Sequence, residues 1–130
     1  MNDRASLWLR ADAVFDAGMG VLLLMASWNA LYEALGLPPA EPAMYAQVAG
    51  GLLLGFAYLL WTGATAPGVR RLAGTTAVVN LAGVVVIGIW LVSGELGAET
   101  LGEVILWAAV AALVIFAVAE IDAARKDQPP

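Results

Sequence analysis

The sequence contains no cysteine and no histidine, and only 13% of its 130 residues are charged. Without those two residue types, thiol nucleophiles, histidine-based zinc or haem sites and serine–histidine hydrolysis are excluded. About a quarter of the residues in a soluble domain are charged, so the composition also excludes a water-soluble globular protein. The net charge of −5 argues against nucleic acid, which requires a basic binding face. We expect no cofactor and no metal site.

Hydrophobic residues make up 62% of the chain and concentrate in four long runs, at about residues 13–35, 44–66, 72–92 and 103–121. Each run approaches the roughly 20 residues that a transmembrane helix needs, and the first is too long for the apolar part of a cleaved signal peptide. Only helices and closed barrels cross hydrocarbon, and barrel strands would show a shorter, alternating pattern. With short connections between the runs, the sequence predicts an all-α, antiparallel four-helix transmembrane bundle of up-down-up-down topology, a single domain over residues 1–130.

The basic residues all fall on one side of such a bundle. They precede the first run, separate the second from the third, or follow the fourth: Arg4, Arg10, Arg70, Arg71, Arg125 and Lys126. The two loops on the opposite side carry Glu41, Glu95 and Glu99 and no basic residue. Because basic residues are retained on the cytoplasmic side, both termini are expected there, in a multi-pass protein of the cell inner (plasma) membrane. The lipid bilayer is its expected partner.

Three acidic residues lie inside the predicted spans, where a charge costs at least about 2.5 kcal/mol and therefore suggests a function. Glu33 is within a turn of the outer boundary and can reach water. Asp16 and Glu120 lie at a similar depth on the cytoplasmic side, and Asp12 precedes Asp16 by one turn on the same helix face. If Asp16 and Glu120 meet without an arginine between them, one carboxyl is expected to hold a proton, which would suit proton coupling.

The third span adds an amide that is reached from the same side of the bundle. Asn80 lies eight residues into the span, roughly 12 Å deep at 1.5 Å per residue, and Thr76 is one turn nearer the surface. Thr62 and Thr65 add hydroxyl groups at a comparable depth. The pattern predicts a polar pocket that opens to the cytoplasm, and the candidate ligand-binding residues are Asp16, Asn80, Glu120, Thr76 and Arg10.

A purely structural interpretation competes with this site. The arginines lie on the same side as the acids, so each acid could be held in an ion pair, and Asn80 could form an interhelical hydrogen bond without binding any ligand. Gly51-x-x-x-Gly55 in the second span allows close helix packing, either within one bundle or between the copies of a homo-oligomer.

Several segments resemble a known group of proteins. They are Arg10-Ala-Asp-Ala-Val-Phe-Asp16-Ala-Gly-Met-Gly20, Leu35-Gly36-Leu37-Pro38, the glycine-rich second span, Val79-Asn80 and Ala119-Glu120. Over about residues 7–122 the chain is similar to small four-helix inner-membrane proteins of bacteria, loosely the DoxX-like group. The resemblance implies a bacterial inner-membrane bundle whose polar positions coincide with Arg10, Asp16, Asn80 and Glu120. It implies no particular activity.

These observations favour a membrane protein that is not an enzyme. We expect it to bind or help to move a small or lipidic molecule, or to act as a partner subunit in the membrane. The alternative is a structural or assembly protein without a ligand, in which the glycine and alanine faces matter most. A third hypothesis is an intramembrane enzyme that uses paired carboxylates as acid and base.

Overall fold

The computed structural model describes residues 3–125, and the regular elements in that range are all helical. They are α1 (Asp3–Leu24), a 3-10 turn (Met25–Ser27), α2 (Asn29–Ala34), α3 (Ala43–Gly63), α4 (Val69–Ser93) and α5 (Thr100–Arg125). The predicted all-α helical bundle is confirmed. Lys126, the last of the six basic residues, lies outside the described range.

Three of the helices, α3, α4 and α5, are long and apolar enough to cross a bilayer. Their outward faces carry large apolar side chains such as Leu52, Val85 and Val118, each more than half exposed. In water such a large apolar surface would cause the protein to aggregate. In a bilayer it is the surface expected to contact lipid. The chain is therefore a multi-span helical membrane protein that contacts the lipid bilayer.

The first helix is amphipathic and differs from the other three long helices. Its first fourteen residues include five charged ones, Asp3, Arg4, Arg10, Asp12 and Asp16, so it does not qualify as a membrane span by composition. It nevertheless packs along the length of α3 and also contacts α5 and α4. The helix is thus an integral part of the bundle.

The first apolar run, predicted as one span over residues 13–35, is not one helix. It breaks at the 3-10 turn, and Trp28 leaves the helical region with φ −92° and ψ 82°. Two side chains stabilise the break, because the Gln47 amide donates to the Leu24 carbonyl at 3.3 Å and the Tyr32 hydroxyl donates to the Leu22 carbonyl at 3.1 Å. Both contacts bring a side-chain donor to a carbonyl group in the last turn of α1.

The relative directions of the helices follow from one buried apolar cluster. It combines the start of α1, the end of α3, the start of α4 and the end of α5, through Ala5, Leu9, Ala13, Ala57, Leu60, Ala64, Val69, Ala73 and Ala123. Successive long helices therefore run in opposite directions. The same end of the bundle carries the five described arginines, and we call it the arginine end.

Glycine residues allow α1 and α3 to approach each other closely. A Cβ atom on Gly50 would lie 2.6 Å from the Gly20 carbonyl oxygen, and one on Gly20 would lie 2.9 Å from the Gly50 carbonyl oxygen. Gly51 and Gly55, in contrast, face outward with no atom near enough to touch an added Cβ. That pair does not pack within the bundle, and its role in a homo-oligomer stays a prediction.

Candidate functional site

Five polar side chains are buried together with the hydrophobic core near the arginine end. Asp12 and Asp16 come from α1, Thr76 and Asn80 from α4, and Glu120 from α5, and none of them is more than 4% exposed. We call these five residues the buried polar cluster. The predicted candidates Asp16, Asn80, Glu120 and Thr76 all belong to it.

Asn80 connects three helices through one nitrogen atom. Its Nδ2 donates to Oδ2 of Asp12 at 2.9 Å and to Oε2 of Glu120 at 3.2 Å. The two protons of the amide group are thereby directed at two carboxyl groups, which must lie close to each other. Asn80 therefore links α1, α4 and α5 through two buried hydrogen bonds.

Each acid of the cluster has an oxygen atom that no described group satisfies. Asp12 Oδ1, Asp16 Oδ2 and Glu120 Oε1 are buried and have no hydrogen-bond partner among residues 3–125. Burying a carboxylate costs several kcal/mol unless a counter-charge and hydrogen bonds offset the lost hydration. The three unsatisfied oxygens are therefore positions where a positively charged or proton-donating group would be stabilised.

The arginine clasp that the sequence suggested does not form in the described part of the chain. Arg10 is exposed, and its guanidinium carbon lies 5.4 Å from the centre of the Trp61 ring, a cation–π geometry. No ion pair joins Asp12, Asp16 or Glu120 to an arginine within residues 3–125. The structure thus brings four of the five predicted candidates together and leaves Arg10 on another face.

The three threonines that the sequence placed near the pocket differ in burial. Thr76 is fully buried one turn from Asn80, and its hydroxyl donates to the Leu72 carbonyl at 3.0 Å. Thr62 and Thr65 are exposed, and their hydroxyl groups donate to backbone carbonyl groups three or four residues earlier in the chain. The expectation that they contribute to the polar pocket is therefore wrong.

Asp12 is the cluster residue that is missing from the predicted candidates. It accepts the shorter of the two Asn80 hydrogen bonds and is fully buried. The signal is present in the sequence, because Asp12 precedes Asp16 by one helical turn and must share its face. The hydrophobic run begins only at residue 13 and so places Asp12 outside the first span, whereas α1 begins at Asp3.

The surroundings of the cluster restrict what it can hold. No group of three acids within residues 3–125 has the geometry of a metal site. Three grooves on the outside of the bundle lie between α1 and α5, α4 and α5, and α1 and α3, and none of them is lined by a cluster residue. The cluster is an acid-rich interior site whose five side chains are at most 4% exposed.

Comparison with known proteins does not assign a function to the buried polar cluster. No family model matches the chain, and no curated protein or solved structure matches it. The resemblance to DoxX-like proteins therefore stays a prediction, and a functional assignment depends on the buried polar cluster of a multi-span helical membrane protein.

Proposed function

We propose that this protein is a four-span protein of the bacterial inner membrane, with both termini in the cytoplasm, that binds or helps to move a small molecule through the buried polar cluster. A fourth span requires α1 to cross the bilayer. Its 22 residues extend roughly 33 Å, enough for a hydrocarbon core of about 30 Å. Its two buried acids face the other helices, so their charges need not meet lipid.

The observation that carries the proposal is the set of three buried carboxyl groups with unsatisfied oxygen atoms. Polar groups retained inside a membrane bundle at such a cost commonly mark the path of an ion or a proton. Replacing buried ionic groups by hydrophobic side chains of similar size is often neutral or stabilising, so stability alone does not account for three buried acids.

The charge of the cluster indicates the kind of molecule. Three acids and one amide form a site whose ionised groups are all negative, since the arginines lie elsewhere. Coulomb attraction in a low-dielectric interior favours a positive species and repels an anion. A proton or a small cation is therefore the favoured ligand.

The test is a flux measurement with the full chain in lipid vesicles. A potassium diffusion potential, negative inside, drives cations inward; trapped pyranine reports protons, and radiolabelled tetramethylammonium reports a small organic cation. We expect flux of one of these probes above that of protein-free vesicles. The double variant D16N/E120Q should lower it by at least about tenfold, equivalent to about 1.4 kcal/mol of lost interaction.

The matched control removes two exposed acids. Glu33→Gln combined with Glu41→Gln changes the formal charge by the same amount at the end of the bundle remote from the cluster. This variant should retain the flux of the original chain. Equal flux in the two double variants, or no flux of either probe above protein-free vesicles, would contradict a role of the cluster in moving a small molecule.

A structural role is the second candidate, and the Asn80 contacts favour it. One amide group holds α1 and α5 against α4 through two hydrogen bonds, which is what a polar fastening inside a bundle requires. If the cluster has only this structural role, D16N/E120Q changes the unfolding temperature in detergent, and neither the original chain nor the variant shows flux above protein-free vesicles. The flux and unfolding measurements together separate the two functions.

A further inference from the structure

A groove between α4 and α5 opens to the outside of the bundle at the arginine end. Its volume is about 700 Å³. The residues that decide its chemistry are Arg70, Arg71, Gly74, Val78, Val79 and Ala124. It shares no residue with the buried polar cluster, so a ligand in this groove is independent of the proposed function.

The groove changes from basic to apolar along α4. Arg70 and Arg71 lie in the first turn of the helix, and Arg71 is exposed. Val78 and Val79 follow seven to nine residues later, roughly 12 Å farther along the axis, and both are exposed. A molecule that fits this gradient has an anionic end and an apolar chain, which is the chemistry of an anionic phospholipid.

The floor of the groove is formed by small residues. A Cβ atom on Gly74 would meet only the Cβ of Ala124, at 3.8 Å, an ordinary van der Waals distance. Because neither residue extends into the groove, an acyl chain can lie against the helix backbones there.

A second groove at the same end provides an internal comparison. It lies between α1 and α5 and has a volume of about 730 Å³. Its lining includes Arg4 and Asp122, one charge of each sign, with Trp8 and apolar residues beside them. The two grooves are nearly equal in size, but only the α4–α5 groove combines two basic residues with no acidic one in its lining.

We propose that the α4–α5 groove binds an anionic phospholipid, with the headgroup phosphate at Arg70 and Arg71 and one acyl chain along Val78 and Val79. Arginine forms paired hydrogen bonds with phosphate oxygens, which a zwitterionic headgroup shields with its own cation. Basic pockets between transmembrane helices are suited to such headgroups.

The experiment uses the full chain purified in detergent and titrated with dioleoyl-phosphatidylglycerol or dioleoyl-phosphatidylcholine, with bound lipids counted by native mass spectrometry. The anionic lipid should bind more tightly. Arg71→Ala should weaken its binding about fivefold and the double variant R70A/R71A about 30-fold, from the usual contribution of a basic residue near anionic lipid. Binding of the zwitterionic lipid should not change.

Arg4→Ala in the α1–α5 groove is the matched control for charge, and it should alter phosphatidylglycerol binding by less than about twofold. Equal affinity for the two lipids, or an equal loss in Arg4→Ala and Arg71→Ala, would overturn the proposal. So would complete displacement of the lipid by inorganic phosphate, because a free anion would then be the occupant.

The apolar part of the site is tested separately with the arginines intact. Gly74→Leu fills the groove and should reduce binding of phosphatidylglycerol, whereas Gly74→Ala should bind normally because its added Cβ has room. Ala124→Leu fills the same space from α5 and provides a second variant if Gly74→Leu unfolds on heating at a much lower temperature. Normal lipid binding by both filled variants would show that no acyl chain occupies the groove.

Discussion

At the residue scale, Asn80 is the group on which the buried polar cluster most depends. Its amide donates to one oxygen of Asp12 and one of Glu120, and all three side chains are buried. Removing a buried donor costs the desolvation of the acceptors that it leaves behind, in addition to the hydrogen bonds themselves. The cluster is consequently most sensitive to the loss of the Asn80 amide.

We expect Asn80→Ala to destabilise the protein by about 2–3 kcal/mol, because two buried carboxyl groups lose their described donor. Thermal unfolding of the full chain in detergent measures the change. Gln47→Ala is the control, since that amide also donates two hydrogen bonds, both 3.3 Å long and exposed, and its loss should cost less than about 1 kcal/mol. If both variants lost the same free energy of unfolding, burial of the acids would not increase the contribution of the Asn80 hydrogen bonds to stability.

The sequence was sufficient to locate most of the cluster but not to orient all of its neighbours. Asp16 and Glu120 were predicted to share a depth, with Asn80 entering from the same side, and the structure brings the three together. Arg10 was predicted on that side of the bundle and among the same candidates. It lies two residues before Asp12, about 200° around the helix, and points to Trp61 instead. Depth follows from counting along a run, whereas rotation about the helix axis depends on packing between helices.

At the element scale, close contact between helices depends on which glycines face inward. The sequence offered Gly51-x-x-x-Gly55, but the α1–α3 contact is made by Gly20 and Gly50, one residue earlier on α3 and therefore on another face. The break after Leu24 was equally unpredictable from the apolar run, because one of its contacts, to the Leu24 carbonyl, comes from Gln47 on a different helix. Both features depend on contacts between elements and not on the pattern within one.

Neighbouring glycines on α3 provide a sharp test of this contact. Gly50→Ala should destabilise the bundle by about 1–3 kcal/mol, because its methyl group would overlap the Gly20 carbonyl oxygen and the Leu24 nitrogen, backbone atoms that cannot move alone. Gly51→Ala should be neutral or stabilising by up to about 1 kcal/mol, since alanine favours helix and nothing lies nearby. Unfolding in detergent compares the two; a larger loss in Gly51→Ala would contradict the observed helix face.

At the scale of the whole molecule, the bundle has two chemically different ends. The arginine end contains the apolar cluster, the buried polar cluster and the α4–α5 and α1–α5 grooves. The loops at the other end contain Glu41, Glu95 and Glu99, of which Glu99 donates its backbone N–H to the Gly36 carbonyl at 2.9 Å. If basic residues are retained in the cytoplasm, any species that reaches the acids from the arginine end comes from that side.

The absence of cysteine makes this orientation directly testable, since any introduced thiol is unique. Glu41→Cys and Glu95→Cys should react with a membrane-impermeant maleimide added outside intact spheroplasts, because both exposed positions lie opposite the arginine end. Ala66→Cys, exposed between α3 and α4 at the arginine end, should react only after the membrane is opened. Labelling of Ala66→Cys from outside, with Glu41→Cys and Glu95→Cys protected, would reverse the predicted topology. Simultaneous labelling of Ala66→Cys and Glu41→Cys in intact cells would mean that α3 does not cross the bilayer.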